Sequence, residues 1–161
     1  MLDSDIKINL FLMQYCRTIM ADIPDERLTE QPLPGVNHPA WILGHLALTA
    51  EFAAAFLGAE KRLPQEWGPL FRPGSKLESE RGKYPSKEVL MREVEQGFER
   101  LRQRAATATP EQFAQPSTNP RIKDALPTAK DVAAFLLTGH MGGHLGQLST
   151  WRRMIGMPPL F

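Results

Sequence analysis

The chain has 161 residues, of which 42% are hydrophobic and 23% are charged, so it can bury a core as one domain spanning residues 1–161. Its 19 basic and 18 acidic residues leave a net charge of +1. This balance gives no electrostatic reason to expect nucleic acid or an anionic membrane as a partner. The single cysteine, Cys16, excludes an internal disulfide and any metal site made of several thiolates.

The beginning of the chain lacks the pattern of a signal peptide or a membrane span. Its first residues are acidic rather than basic, and the apolar run from Ile8 to Cys16 is interrupted by Asn9 and Gln14. We therefore expect a cytoplasmic protein whose one thiol is reduced and buried as a small apolar side chain.

Four segments have the spacing of apolar residues that is typical of amphipathic helices. They run over residues 3–21, from 37 or 38 to about 58, from after 86 to about 106, and from 128 to about 155. The first ends before Pro24, and the second has Pro39 in its first turn. Thr128 and Asp131 have the spacing of a capping box at the start of the fourth.

Residues in phase with each helix predict which face turns inward. The predicted inward stripes are Ile6, Leu10, Met13 and Met20; His38, Ile42, His45, Thr49, Phe52 and Phe56; Leu90, Val94, Gly97, Leu101 and Ala105; and Val132, Leu136, His140, His144, Gln147 or Leu148, Trp151 and Ile155. No segment shows convincing strand-type alternation. The sequence therefore predicts an all-α four-helix bundle with long connections.

The long connections are rich in proline, over residues 60–85 and 107–127. In the first of them, Trp67 and Phe71 lie among prolines, and such an apolar loop is expected either to cover a pocket or to close the end of the bundle. In the second, residues 110–113 are expected to form one short helical turn.

All four histidines lie on predicted inward stripes, but His38 is about two turns, or roughly 10 Å, from His45 and too far to share an ion with it. The other three, His45, His140 and His144, lie near the middle of their helices. Residues four apart on a helix project from one side, and neutral imidazole is a common metal ligand. We therefore predict that these three bind one divalent transition metal, with zinc or nickel ahead of iron, cobalt or manganese. Three protein ligands leave positions open for water or substrate, as in catalytic sites. Met141 replaces the glutamate of a metalloprotease motif.

Each element of this pattern also has a simpler interpretation. A single histidine on an apolar face is more often a hydrogen-bonded core residue than a ligand. Four glycines crowd the same helix at an energetic cost of about 1 kcal/mol each relative to alanine. They predict either a closely approaching helix or space for a ligand above the metal. These glycines are Gly139, Gly142, Gly143 and Gly146.

Residues next to the histidines offer further candidates. Gln147 is placed to orient a ligand histidine through its second ring nitrogen. His38 is expected to cap its helix rather than touch substrate, and Thr49 to bond a backbone carbonyl rather than a metal-bound water. The basic pair Arg152 and Arg153 is expected to interact with the dipole of the last helical turn.

Two stretches, NHPAWILGHLA at residues 37–47 and HMGGHLGQLSTWRR at residues 140–153, together resemble the DinB-like (DinB/YfiT) superfamily of metalloenzymes. The resemblance covers nearly the whole chain. It implies an up-down-down-up bundle, a metal site formed by His45, His140 and His144, and a homodimer. Members with known activity are transferases and isomerases that use mycothiol, bacillithiol or glutathione.

The sequence leads to three expectations about function. The first is a metal-dependent enzyme acting on a small-molecule substrate, as a transferase that uses a low-molecular-weight thiol. The alternative is a non-catalytic dimer that binds metal or a small ligand in a stress response. The third is a bundle whose histidines are structural. No residue is assigned as a catalytic acid or base.

Overall fold

The computed structural model describes residues 1–160 and is built from helices. They are α1 (Asp3–Met20), α2 (Pro39–Phe56), α3 (Trp67–Phe71), α4 (Lys87–Thr107), α5 (Pro110–Phe113), α6 (Ala129–Phe135) and α7 (Met141–Met154), with a π-helical stretch, Leu136–His140, joining α6 to α7 and short 3-10 turns at Asp25–Arg27 and Arg81–Lys83. The part of the chain that the structure describes contains no strand. The all-α prediction is therefore confirmed.

The four predicted long helices are found within a few residues of their expected ends, and the predicted caps are in place. Thr128 and Asp131 form the predicted capping box, and His38 caps α2 as expected. Ser86, which was not predicted as a cap, accepts a bond from the Val89 N–H at the start of α4. The last helix ends at Met154, and Gly156 follows it with a φ of +80° that only glycine adopts readily. The short turn predicted at residues 110–113 is α5.

The core forms mainly where α2 packs against α4, while α1 packs against α7 and the π-helical stretch. A Cβ added at Gly97 of α4 would lie only 3.2 Å from the Cβ of Ala50 in α2. Small residues at this crossing let the two helices approach closely. The whole predicted inward stripe of α4 is buried.

Two residues predicted to face inward are exposed. Leu10 is 52% exposed and Phe52 is 41% exposed. In α1 the buried stripe contains the polar Asn9 together with Met13 and Cys16, so the inward face is rotated by one residue from the apolar pattern. Phe52 lies instead on the wall of a surface cleft beside α2.

The fourth predicted helix is not a continuous α-helix, because the π-helical stretch, which ends at His140, interrupts it. Asn9, which is fully buried, donates from Nδ2 to the carbonyl of Leu137 inside this stretch at 2.8 Å. Arg102 in turn donates to Asn9 Oδ1 at 2.6 Å. Asn9, which interrupts the apolar pattern of α1, therefore supplies a hydrogen bond to the backbone of the π-helical stretch.

Arg152 was expected to interact with the dipole of the last helical turn, but the structure shows a different role. Its side chain is buried, and it donates to the carbonyl of Ile19 at 2.9 Å and to the carboxylate of Asp22. The guanidinium hydrogen bond lowers the pKa of Asp22 below its ordinary value. Arg152 therefore ties the end of α7 to the end of α1.

One helix, α2, is long and apolar enough to span a membrane by length and composition, with a mean hydropathy of 1.2. However, 72% of that window is buried inside the structure. The apolar character of α2 is thus accounted for by its position in the core, where it is covered on one side by α4 and on another by α3.

Candidate metal centre

His45 is held rigidly on the buried helix α2. Its side chain is 4% exposed, and the Trp41 ring stacks on it with centroids 4.7 Å apart. His45 Nδ1 lies 2.8 Å from the carbonyl oxygen of Phe71. Because a carbonyl only accepts, Nδ1 carries the proton, and Nε2 presents its lone pair to the interior.

Phe71 can reach this position because residue 44 is glycine. A Cβ at Gly44 would lie 2.1 to 2.4 Å from atoms of the Phe71 ring. The ring therefore occupies the space that any larger residue would need, and α3 packs directly on α2. The sequence analysis named Phe71 only as part of an apolar loop and did not single out Gly44; the available signal was an isolated glycine inside a strongly apolar helix.

His140 and His144 lie where the π-helical stretch meets α7, and their ring centroids are 4.6 Å apart. Both are partly exposed. The Phe135 ring meets His140 with centroids 5.6 Å apart. His140 Nδ1 is buried and has no hydrogen-bond partner within residues 1–160.

The three histidines that the sequence singled out come together in the structure. His45 Nε2 and His140 Nε2 are 3.2 Å apart, and one nitrogen from each of the three rings lies within 4.8 Å of the others. The group contains three imidazoles and no carboxylate. Two nitrogens bound to one tetrahedral zinc at 2.0–2.1 Å would be about 3.4 Å apart, so the spacing and the donor chemistry fit a metal ion.

The surroundings keep these imidazoles neutral. Burial, reinforced by the neighbouring histidines, lowers the pKa of His140 to about 3 and that of His144 to about 4. Burial also lowers the pKa of His45, against the opposing effect of its bond to Phe71. At pH 7 the three lone pairs are therefore available to a cation without prior loss of a proton.

Gln147 contacts His144, as the sequence analysis expected of a residue that orients a ligand. Its Oε1 lies 3.3 Å from His144 Nδ1 and accepts a bond from Asn37 Nδ2 at 3.2 Å. This short chain links α7 to the start of α2, but it is exposed to solvent. Asn37 itself was not predicted to take part.

A profile of the DinB superfamily matches residues 13–148 of this sequence. The chain belongs to the DinB superfamily. The matched region includes His45, His140 and His144, and members of the DinB superfamily bind metals, so the family and the geometry agree on a metal-binding protein. No curated protein and no solved structure matches the chain.

Other candidates in this DinB chain have the simpler roles that the sequence favoured. His38 Nδ1 accepts the Trp41 N–H at 3.1 Å and thereby caps α2. Thr49 donates to the carbonyl of His45 at 2.9 Å. Cys16 is fully buried, which raises its pKa to about 12, so its thiol is not a nucleophile at neutral pH.

Close packing within this chain does not explain three of the α7 glycines. A Cβ added at Gly142, Gly143 or Gly146 would meet nothing within 4 Å. Gly143 and Gly146 are exposed, and Gly142 is partly buried. These three positions form a smooth outer surface on α7, here called the glycine face.

Proposed function

We propose that this DinB protein is a metal-dependent enzyme in which His45, His140 and His144 bind one divalent transition metal. Zinc and nickel are placed ahead of iron, cobalt and manganese, because the affinity of a nitrogen site for divalent metals rises towards the end of the first-row series. The observation that supports the proposal is the convergence of three neutral imidazoles without a carboxylate. Three ligands leave coordination positions for a reactant, as in catalytic rather than structural zinc sites.

The reaction that we propose is transfer of a low-molecular-weight thiol, such as mycothiol, bacillithiol or glutathione, to an electrophilic small molecule. The bound metal would lower the pKa of a thiol, so that a thiolate is available at neutral pH. The chain's own residues position the site: the Phe71 carbonyl fixes the tautomer of His45, and Gln147 holds His144. Trp41 shields one face of the His45 ring from water.

We further propose one cytoplasmic domain over residues 1–161, arranged as an up-down-down-up four-helix bundle that forms a homodimer. The dimer is supported by the glycine face, which has no close neighbour within this chain, and by exposed Ile8 and Phe11 on the adjacent helix α1. Introducing Gly146→Glu should shift the sedimentation coefficient to that of a monomer. Gly82→Glu, at another position with open space, should leave the dimer intact, and an unchanged sedimentation coefficient in Gly146→Glu would contradict this interface.

The metal proposal is tested by elemental analysis of protein purified without an affinity tag. About one transition-metal ion per chain is expected, from the three-histidine group found within residues 1–160. A panel of glutathione, bacillithiol, mycothiol and cysteine with a general electrophile then tests transfer. Turnover with one thiol, lost on metal removal and restored by metal, is the expected result.

A second candidate is a non-catalytic dimer that binds metal or a small ligand in a stress response. The observation that favours it is the absence of a carboxylate from the histidine group, which leaves no obvious proton acceptor there. Stoichiometric metal without turnover for any thiol would support this candidate. A protein that contains no metal would overturn the enzyme proposal and would leave only the small-ligand form of the second candidate.

A further inference from the structure

A cleft with a volume of about 470 Å³ lies beside α2, facing the segment over residues 61–73. Its walls are mostly apolar and include Leu48, Phe52, Leu63 and Pro64. A volume of this size is typical of small-molecule sites, which occupy roughly 300–1,000 Å³. We infer that this cleft binds the apolar body of the substrate, a small electrophile with an anionic group at its far end; the inference rests on the proposed function.

The cleft is aligned with the metal centre because both ends of its outer wall are fixed to α2. At one end, buried Glu51 accepts the backbone N–H groups of Arg62 and Leu63, the latter at 2.7 Å. At the other end, the carbonyl of Phe71 meets His45. Segment 62–71 therefore runs along α2 from the level of Glu51 back to His45, a distance of about 9 Å by helical rise.

Among the α2 residues that line the cleft, Leu48 and Thr49 lie nearest to His45 along the chain, and we place the reacting end of the cleft there. Thr49 lines the cleft, lies one helical turn after His45, and bonds the His45 carbonyl. A molecule lying along the wall would thus have one end near the histidine group and the other near Lys61. This orientation places the electrophilic end of the substrate at the thiol and its apolar body against Leu48 and Phe52.

The charges along the cleft favour an anion at the far end. The Glu51 carboxylate is only 5% exposed and is already bonded to two backbone N–H groups and to Arg100, at 3.1 Å. Lys61 lines the cleft, is exposed, and forms no ion pair within residues 1–160. A carboxylate would therefore find an available ammonium group, whereas a cationic substrate would find no free counter-charge on this wall.

The test uses straight-chain carboxylates as probes, from butanoate to decanoate, with binding measured by calorimetry on zinc-loaded and metal-free protein. Affinity should rise roughly threefold to fourfold per methylene until the cleft is filled, in line with about 0.8 kcal/mol per buried methylene. Alkylamines of equal length should bind more weakly. Affinity that does not depend on chain length, or that equals that of the amines, would overturn the inference.

Matched variants locate the binding. Phe52→Ser should weaken octanoate binding about tenfold, while Leu33→Ser, at an exposed apolar residue that does not line the cleft, should not change it. Lys61→Ala should remove the preference for carboxylate over amine, and Lys7→Ala should keep it. Equal affinities in Phe52→Ser and the unmodified protein would exclude the cleft.

The orientation is tested with cobalt(II)-loaded protein, in which protons close to the paramagnetic ion relax fastest. The terminal methyl of octanoate should be broadened more than the methylene beside its carboxylate. The reverse gradient would show that the carboxylate binds the metal and would overturn the proposed orientation. Failure of the metal proposal is distinguishable, because the chain-length series on metal-free protein does not depend on it.

Discussion

The two sides of the histidine group are held in different ways. On α2, His45 is buried between the Trp41 ring and the Phe71 carbonyl, and Gly44 lets Phe71 approach. On α7, His144 is held by an exposed hydrogen bond to Gln147, and His140 Nδ1 has no partner within residues 1–160. The α2 side is therefore fixed by packing, and the α7 side by bonds that compete with water.

This difference indicates that one side is preorganised while the other can adjust as a metal or substrate enters. Buried packing allows little movement, because a shift of the Phe71 ring requires α3 to move with it. An exposed side-chain hydrogen bond stabilises by only about 1 kcal/mol and can be exchanged for water. Changes on the α2 side should accordingly affect the fold and the site together, whereas changes on the α7 side should affect the site alone.

The largest effect is expected when a metal-ligating histidine of α7 is removed, because the α2 side then cannot form the site by itself. His140→Ala should reduce the metal content from about one ion per chain to near zero after dialysis, since two imidazoles remain. His38→Asn is the control, because asparagine can keep the α2 cap and His38 lies outside the group. Metal content in His140→Ala equal to that of the control would show that the histidine group is not the site.

Low pH should destabilise the metal-free protein, because protons bind to imidazoles that are neutral in the folded state. The pKa values of His38, His140 and His144 lie near 4, 3 and 4 in the folded protein, against about 6.5 when unfolded. The unfolded state therefore binds more protons below pH 6.5, and the free energy of unfolding of metal-free protein should fall as pH drops from about 6.5 to 5.

Denaturant unfolding at half-unit pH intervals measures this slope in a range where most carboxylates remain charged. His38→Asn should give a shallower slope, because it removes one of the contributing groups. A stability that is constant between pH 7 and 5 would contradict the neutral, buried state of the histidines.

Overpacking at Gly44 tests the α2 side alone. Gly44→Ala would push its Cβ into the Phe71 ring, and it should lower the free energy of unfolding by about 1–3 kcal/mol and weaken metal binding as well. Gly68→Ala in α3 is the matched control, because its Cβ would meet nothing within 4 Å. Equal stabilities of the two variants in urea would mean that the contact between residue 44 and the Phe71 ring does not require a glycine.

The smallest effect is expected on the exposed α7 side. Gln147→Ala should weaken metal affinity about tenfold, the lower end of the range for residues that orient ligands, and leave the unfolding free energy nearly unchanged. Competition with a chromophoric chelator measures the affinity, and Gln103→Ala, on the exposed surface of α4, is the control. If Gln147→Ala lowered the free energy of unfolding as much as Gly44→Ala, the α7 side would be as important to the fold as the α2 side, which contradicts the proposed difference.

Much of the fold was predictable because its signals are local. Ser86, Thr128 and Asp131 cap helices through residues a few positions away, and the stripe of α4 follows the helical period. The same reasoning was wrong for Leu10. In that helix a buried asparagine, which bonds the backbone of a segment more than a hundred residues away, decides which face turns inward.

The sequence by itself determined which three histidines belong together, because helical spacing places His140 and His144 on one side and the periodicity of α2 turns His45 inward. Only the tertiary structure decided what surrounds them. The Phe71 carbonyl, the contact of Gly44 with its ring, and the anchor at Glu51 join positions whose proximity depends on how a proline-rich connection returns along α2. Side-chain periodicity within a helix carries no information about such a path, which is set by packing among segments distant in the chain.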